Sequence, residues 1–260
     1  MKILLVSDLH YALKQYDWAA AAQPDYDLVI IAGDHLDVAN PLDGRVQTVV
    51  ILNYLKRMAA QGRLIVSSGN HDLDTRDASG EKIAAWMERV RGLGIPTDGD
   101  TVEAGDALVT ICPWWDGPRV REAVAGQLAR DAVRAKDARR WYWVYHAPPD
   151  SSPTSWTGKR HFGDVELNQW IDAYRPDIVF AGHIHEAPFR PGGSWVDRIG
   201  PTWVFNCGRQ IGPTPTYVAL DTEAGEAAWF SLAGAEMVTL DAPLTRPPPA
   251  LTAPPAWMPR

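Results

Sequence analysis

Lys2-Ile3-Leu4-Leu5-Val6-Ser7-Asp8-Leu9-His10 opens the chain with an unbroken apolar run that stops at a polar cluster. A run apolar at every position reads as a strand buried on both faces, the situation of central strands in a parallel sheet. The pattern returns twice. Residues 27–32 end in Gly33-Asp34, and residues 63–67 lead into Gly69-Asn70-His71-Asp72. Between these two runs Val46, Val49, Val50, Leu52 and Leu55 recur at helical spacing over residues 45–60. A second helical stretch is predicted over 81–90. Strand and helix in alternation imply an α/β fold with parallel strands and crossover helices.

Farther along, residues 107–112, 141–145 and 177–181 read as strands, 119–139 as a charged amphipathic helix and 165–174 as a short helix. After Gly182 the texture turns to Pro, Gly, Trp and short β-rich pieces at 202–205, 216–220 and 227–232, which predict antiparallel strands closing the fold. Residues 1–240 are therefore read as one domain. The tail, 241–260, holds seven of the 21 prolines and is expected to wrap the surface or stay disordered.

Composition sets the outer bounds. With 260 residues, 46% hydrophobic and 22% charged, the chain is neither wholly disordered nor fibrous. It is long enough to build a core without disulfide or metal staples. A formal net charge of -7 argues against coating nucleic acid or an anionic membrane. Cys112 and Cys207 stand in apolar runs and read as reduced core thiols. No apolar run reaches the ~18 residues of a spanning helix, and the N-terminal run is too short for a signal peptide, so a cytoplasmic setting is expected.

Five of the seven histidines stand in polar clusters at predicted strand ends. His10 follows the first strand and His71 the third. His146 follows 141–145, and Gly182-His183-Ile184-His185 follows 177–181. In open α/β sheets the carboxyl ends of the strands face one crevice, where ligands bind. Imidazole and carboxylate together suit divalent first-row transition ions, and no thiolate is present to suggest a structural zinc site. Asp8, His10, Asp34, Asn70, His146, His183 and His185 are seven donors, more than one ion needs. Two ions sharing a bridging carboxylate would use them all, and two carboxylates against two divalent ions leave positive charge for hydroxide and phosphate.

The ordered series Asp8-Leu9-His10, Gly33-Asp34-His35-Leu36-Asp37, Gly69-Asn70-His71-Asp72, His146 and Gly182-His183-Ile184-His185 resembles the calcineurin-like metallophosphoesterase superfamily over about residues 1–220. The resemblance implies a four-layer α/β/β/α sandwich, two mixed sheets flanked by helices, with the metal site at the carboxyl edge of the strands. It implies that Asp8, His10 and His185 hold one ion, Asn70, His146 and His183 the other, and that Asp34 bridges both. It implies hydroxide attacking phosphorus in line while His71 protonates the leaving alkoxide. Asp72 is expected to orient His71, and Asp37 to support the ligands from behind. His35 is left out, because strand alternation points it away. Val38 stands where the protein-phosphatase branch carries a phosphate-binding arginine, which disfavours that activity. Mn, Fe, Zn, Co and Ni all suit the donor set.

The expected substrate is a small phosphodiester, nucleotides included, with phosphomonoesters as the alternative. A monoester carries more charge, and no arginine lies inside the motifs to meet it. Lys159, Arg160 and His161, in a Pro- and Ser-rich stretch after His146, are candidate phosphate contacts. Tyr11, Trp114, Trp115 and Trp156 are candidate stacking platforms for a nucleobase or aryl group. Two other classes compete: a non-catalytic scaffold, which would not need His71, and a single-metal hydrolase, which would leave several donors idle.

Overall fold

The computed structural model describes residues 1–258. The first half of the chain builds β1 (Lys2–Val6), α1 (Leu13–Ala22), β2 (Leu28–Ala32), α2 (Gly44–Ala59), β3 (Leu64–Ser67), the short hairpin β4 (Thr75–Arg76) and β5 (Lys82–Ile83), and α3 (Met87–Arg91). Then come β6 (Thr101–Ala104), β7 (Ala107–Ile111), α4 (Pro118–Arg134), β8 (Arg140–Val144), α5 (Val165–Tyr174) and β9 (Ile178–Ala181). Five strands finish the fold: β10 (Val196–Ile199), β11 (Thr202–Asn206), β12 (Tyr217–Asp221), β13 (Glu226–Ser231) and β14 (Gly234–Thr239).

Two six-stranded sheets result, in the orders β14-β13-β12-β1-β2-β3 and β10-β11-β9-β8-β7-β6. Both are mixed. In the first, β1, β2 and β3 run parallel and β12 joins β1 antiparallel. In the second, β7, β8, β9 and β11 run parallel.

Alternation along each central strand divides the core into layers. Ile3, Leu5, Leu28 and Ile30 face Val109, Ile111, Tyr142, Val144 and Phe180 between the sheets. Their neighbours Leu4, Val6, Val29 and Ile31 pack under Tyr16 of α1, Ile51 and Leu55 of α2 and Met87 of α3. On the far side Trp141, Trp143 and Val179 meet Val124 and Leu128 of α4 and Leu167 and Ile171 of α5. The result is helix, sheet, sheet, helix. Each such side chain fully buried stabilises the fold by about 1.5–3 kcal/mol, and both cysteines are free and buried within it.

Some local expectations fail for identifiable reasons. Residues 81–90 do not form one helix. Glu81 turns its carboxylate to cap α4, accepting from Arg119 N at 2.7 Å and Val120 N at 3.0 Å, and Ile83 pairs with Thr75. Only Met87–Arg91 stays helical. The strands β6, β10 and β14, unforeseen in the sequence, are all sheet edges, where half-exposed polar residues interrupt the apolar signal. Helix α1 was also missed: its apolar side is mostly alanine, which favours helix without drawing a stripe. Beyond Leu240 the chain runs along β14, with Met237 N donating to Pro249 O at 3.0 Å and Leu251 N to Ala235 O at 2.8 Å. Within the tail expected at 241–260, Pro259 and Arg260 lie outside the described residues.

Candidate metal centre

The carboxyl ends of β1, β2, β3, β8 and β9 meet at one edge, and the backbone there is unusual. Asp8 (φ 55°), His10 (φ 42°), Asp34 (φ 55°) and His183 (φ 69°) all adopt the left-handed conformation. For a residue with a Cβ this costs roughly 1–2 kcal/mol, and such strain collects at functional sites. Hydrogen bonds between the turns hold it in place. Asp8 N donates to Gly33 O at 3.1 Å and His10 N to Asp34 O at 2.9 Å. His71 N donates to Asp34 Oδ1 at 2.8 Å, and His183 N reaches across from the second sheet to Asp8 Oδ1 at 3.0 Å.

These turns gather the side chains into two groups that share a member. Donor atoms of Asp8, His10, Asp34 and His185 lie within 4.8 Å of one another, as do those of Asp34, His146 and His183. Asn70 joins the second group, its Oδ1 lying 2.8 Å from His183 Nδ1. Nitrogen atoms that would repel as two lone pairs converge, His10 Nε2 standing 2.9 Å from His185 Nε2. His146 donates through Nδ1 to Ala32 O at 2.6 Å, which aims Nε2 into the cluster. There it lies 3.3 Å from Asp34 Oδ2, buried and without a hydrogen-bond partner. Buried carboxylates, converging imidazoles and an orphaned ring nitrogen are a donor set that divalent cations fit.

The electrostatics agree. Burial works to raise the pKa of Asp8, but its hydrogen bond to His185 and the charges of His146, His185 and His10 hold it far below the carboxylate range. Asp34 is likewise lowered: burial pushes it up, and its interactions with His146 and the charge of His10 together outweigh that push. Burial alone would lower His146, yet Asp34 and Asp8 lift it to about 9. Burial does lower His10 and His183, each to about 4. The cluster keeps two ionised carboxylates whose charge draws protons onto His146 and His185, while His10 and His183 stay neutral, a balance that asks for positive charge at its centre.

Glycine is required where the turns touch. A Cβ on Gly69 would stand 2.3 Å from Asp34 Oδ1 and 2.7 Å from His146 Nε2. Gly33 holds φ +86° against the His146 ring.

A family model described as calcineurin-like phosphoesterase matches residues 1–187. This chain belongs to that family. The match covers most of the chain, including every residue of the two donor groups. No curated protein matches the sequence. Among solved structures the fold is similar to TT1561 of Thermus thermophilus, with TM-score 0.59 and 14% identity over 92% of this chain and 98% of that one. It is similar also to the purple acid phosphatase PPD1 from yellow lupin, with TM-score 0.56 and 13% identity, over 93% of this chain and 52% of that one. A dimetal phosphatase from Danio rerio aligns with TM-score 0.53 and 10% identity over 88% of this chain and 95% of that one. As a calcineurin-like phosphoesterase, the chain is read as a metal-dependent hydrolase of phosphoesters. Among its described residues no helix is long and apolar enough to cross a membrane.

Around the donor groups the geometry differs from the sequence reading. Asp72 does not orient His71. It is fully buried, and its carboxylate accepts from Gly69 N at 2.8 Å, His35 N at 3.0 Å and Leu36 N at 3.1 Å, bracing the turns after β2 and β3. The carboxylate near His71 is that of Asp37, which clusters with His10 and His71 within 4.8 Å. His35 does point away, toward the Tyr16 hydroxyl at 2.8 Å and Ser67 O at 3.1 Å.

Lys159, Arg160 and His161 are exposed and stand outside the 450 Å³ cavity that adjoins Asn70, His146 and His183. Trp114 and Trp115 line that cavity, whereas Trp156 is tied to Pro191 O at 3.0 Å and Tyr11 packs beside the helical layer. The residues missed were Phe162, Asp164 and Glu166 on the cavity wall, which no metal motif contains.

Arg209 was missed as well. Its backbone N donates to His185 O at 3.1 Å, and its charge acts on both His10 and His185. Among the described residues its guanidinium has no acidic partner. It stands in the loop after β11, where no metal motif marks it.

Proposed function

We propose that this chain is a dinuclear-metal phosphodiesterase. In this reading Asp8, His10 and His185 hold one ion, Asn70, His146 and His183 the other, and Asp34 both. The observation that carries it is the membership of Asp34 in both donor groups. When bound, two divalent ions supply a water acidified toward neutrality and positive charge for an in-line displacement at phosphorus. Mn, Fe, Zn, Co or Ni would serve.

The protein's own residues do the rest. His71 is set by its backbone bond to Asp34 Oδ1, and its ring stands edge-on to His10 at a centroid distance of 4.5 Å. Its Nδ1 is buried without a partner. A proton held on this ring passes to the departing alkoxide oxygen, with the Asp37 carboxylate within 4.8 Å of the ring. Asp72 serves the chemistry only by holding the turns on which Asp34 and Asn70 stand.

Arg209 offers one unpaired positive charge beside the His10 group, matching the single charge of a phosphodiester better than the two of a monoester. Substrates are small phosphodiesters, nucleotides included. The free, buried cysteines suit a reducing, cytoplasmic setting.

Elemental analysis of the purified protein tests the centre, with close to two ions per chain expected. Hydrolysis of bis(p-nitrophenyl) phosphate is then compared with that of p-nitrophenyl phosphate. Preference for the monoester would replace the diester reading with a phosphomonoesterase, and one tightly bound ion would overturn the shared-carboxylate arrangement.

A further inference from the structure

The cavity beside Asn70, His146 and His183 encloses about 450 Å³, within the roughly 300–1,000 Å³ of ordinary ligand pockets. Its wall is aromatic, with Trp114, Trp115, Tyr145 and Phe162. Phe162 is 51% exposed and lies stacked over His183 at 5.6 Å and 27°. Trp114 flanks the same imidazole at 5.0 Å. The exposed ring adds apolar surface to a cavity that adjoins the donor groups, the concave and largely apolar setting in which small-molecule ligands bind.

The charges on the wall are negative and already engaged. Asp164 accepts from the Tyr145 hydroxyl, from Trp115 Nε1 at 3.3 Å and from Glu166 N at 2.8 Å. Glu166 pairs with Arg121 at 3.1 Å. Among the described residues no lysine or arginine lines the cavity; Arg160 lies over the Phe162 ring at 5.2 Å, and Arg121, already paired with Glu166, over Trp115 at 5.9 Å. An anionic group placed here would lose its water and meet two carboxylates, whereas a flat neutral ring would stack on indole and phenyl faces.

Position adds a second constraint. His71 does not line the cavity; its ring lies against His10, in the other donor group. An ester arm whose oxygen faces His71 therefore points elsewhere, and the cavity faces a different substituent of the same phosphorus. A diester has that second arm and a monoester lacks it.

We propose that the cavity receives the arm that stays on phosphorus and selects a flat, uncharged aromatic group, an aryl ring or a nucleobase, over an alkyl group or a further phosphate. This inference rests on the phosphodiesterase reading above and names its substrate class.

Three diesters with a common p-nitrophenyl leaving group and a methyl, phenyl or nucleosid-5′-yl retained arm test it on the metal-loaded protein. The phenyl or nucleosidyl ester, or both, should exceed the methyl ester in kcat/KM by about tenfold or more. The order of those two separates an aryl from a nucleobase preference. Phe162→Ala should cut the phenyl-to-methyl ratio at least about threefold. In calorimetry, phenyl phosphate, the product that keeps the retained arm, should bind about tenfold tighter than methyl phosphate, and Phe162→Ala should narrow that gap too. Equal kcat/KM values for all three arms, or ratios untouched by Phe162→Ala, overturn the inference while leaving the phosphodiesterase standing. Failure to hydrolyse any of the three sinks the phosphodiesterase reading, and the calorimetric comparison still judges the cavity.

Discussion

Gly69→Ala adds one methyl group to the molecule and no charge. Gly69 holds φ -120°, a conformation alanine adopts freely, so backbone strain does not enter. The effect is steric. The new Cβ would stand 2.3 Å from Asp34 Oδ1 and 2.6 Å from Asp34 N, against 3.4 Å for an ordinary contact. Asp34 must withdraw by about 1 Å, and because one of the clashing atoms is backbone, no rotamer change absorbs the overlap. Overpacking of this kind costs about 1–3 kcal/mol. At roughly 2–4 °C per kcal/mol for a large domain, the melting temperature should fall by several degrees. A shift of about 1 Å in a reacting constellation costs on the order of 10²-fold in rate, and here the displaced group is the carboxylate common to both donor sets. Steady-state hydrolysis of a p-nitrophenyl diester, thermal melts and bound-metal content are measured together. Gly44→Ala is the control: nothing lies within 4 Å of its Cβ, and it should match or slightly exceed the wild type in stability. Wild-type turnover in Gly69→Ala would refute the argument that close approach dictates this glycine.

Two further perturbations separate chemistry from architecture. His71→Ala should retain the wild-type metal content while kcat falls by about 10²–10⁴-fold; turnover within twofold of wild type would remove His71 from proton transfer. Asp98 bears on stability alone. Burial pushes its carboxyl from 3.8 to about 7, against the pull of its hydrogen bonds to Ser68. Across that window the unfolded chain releases a proton that the native state keeps. The contribution of Asp98 is therefore complete below 3.8 and lost as pH rises toward about 7. Asp98→Asn retains an acceptor for Ser68 N and cannot titrate. Its urea midpoint should gain on the wild type from acid to neutral pH, and a difference that does not change with pH would contradict the assignment.

The sequence alone carried the alternation of apolar runs with helical stretches and the polar cluster at the end of each run. Apolar burial is local in its demands: a strand buried on both faces must be apolar throughout, and β1, β2 and β3 announce themselves for that reason. The residues that cluster at the strand ends were legible too, because their types stand out in residue order and the strand ends fix where they stand. Edge strands β6, β10 and β14 were not legible, because half-buried pairing tolerates polar residues. Segment 81–90 misled because Glu81 answers to the amino end of α4, distant in the chain. The assignment of carboxylates around His71 was equally out of reach. Asp72 is its sequence neighbour, yet the single 3-10 turn at Asn70–Asp72 directs that side chain into the β2 turn and leaves Asp37 near the ring. Arg209 and Phe162 belong to the loops after β11 and β8, and it is the pairing of those strands with β9 that sets them beside His185 and His183. Local chemistry could be read from residue order; which loops lean over the centre was decided by contacts between elements that sequence spacing does not encode.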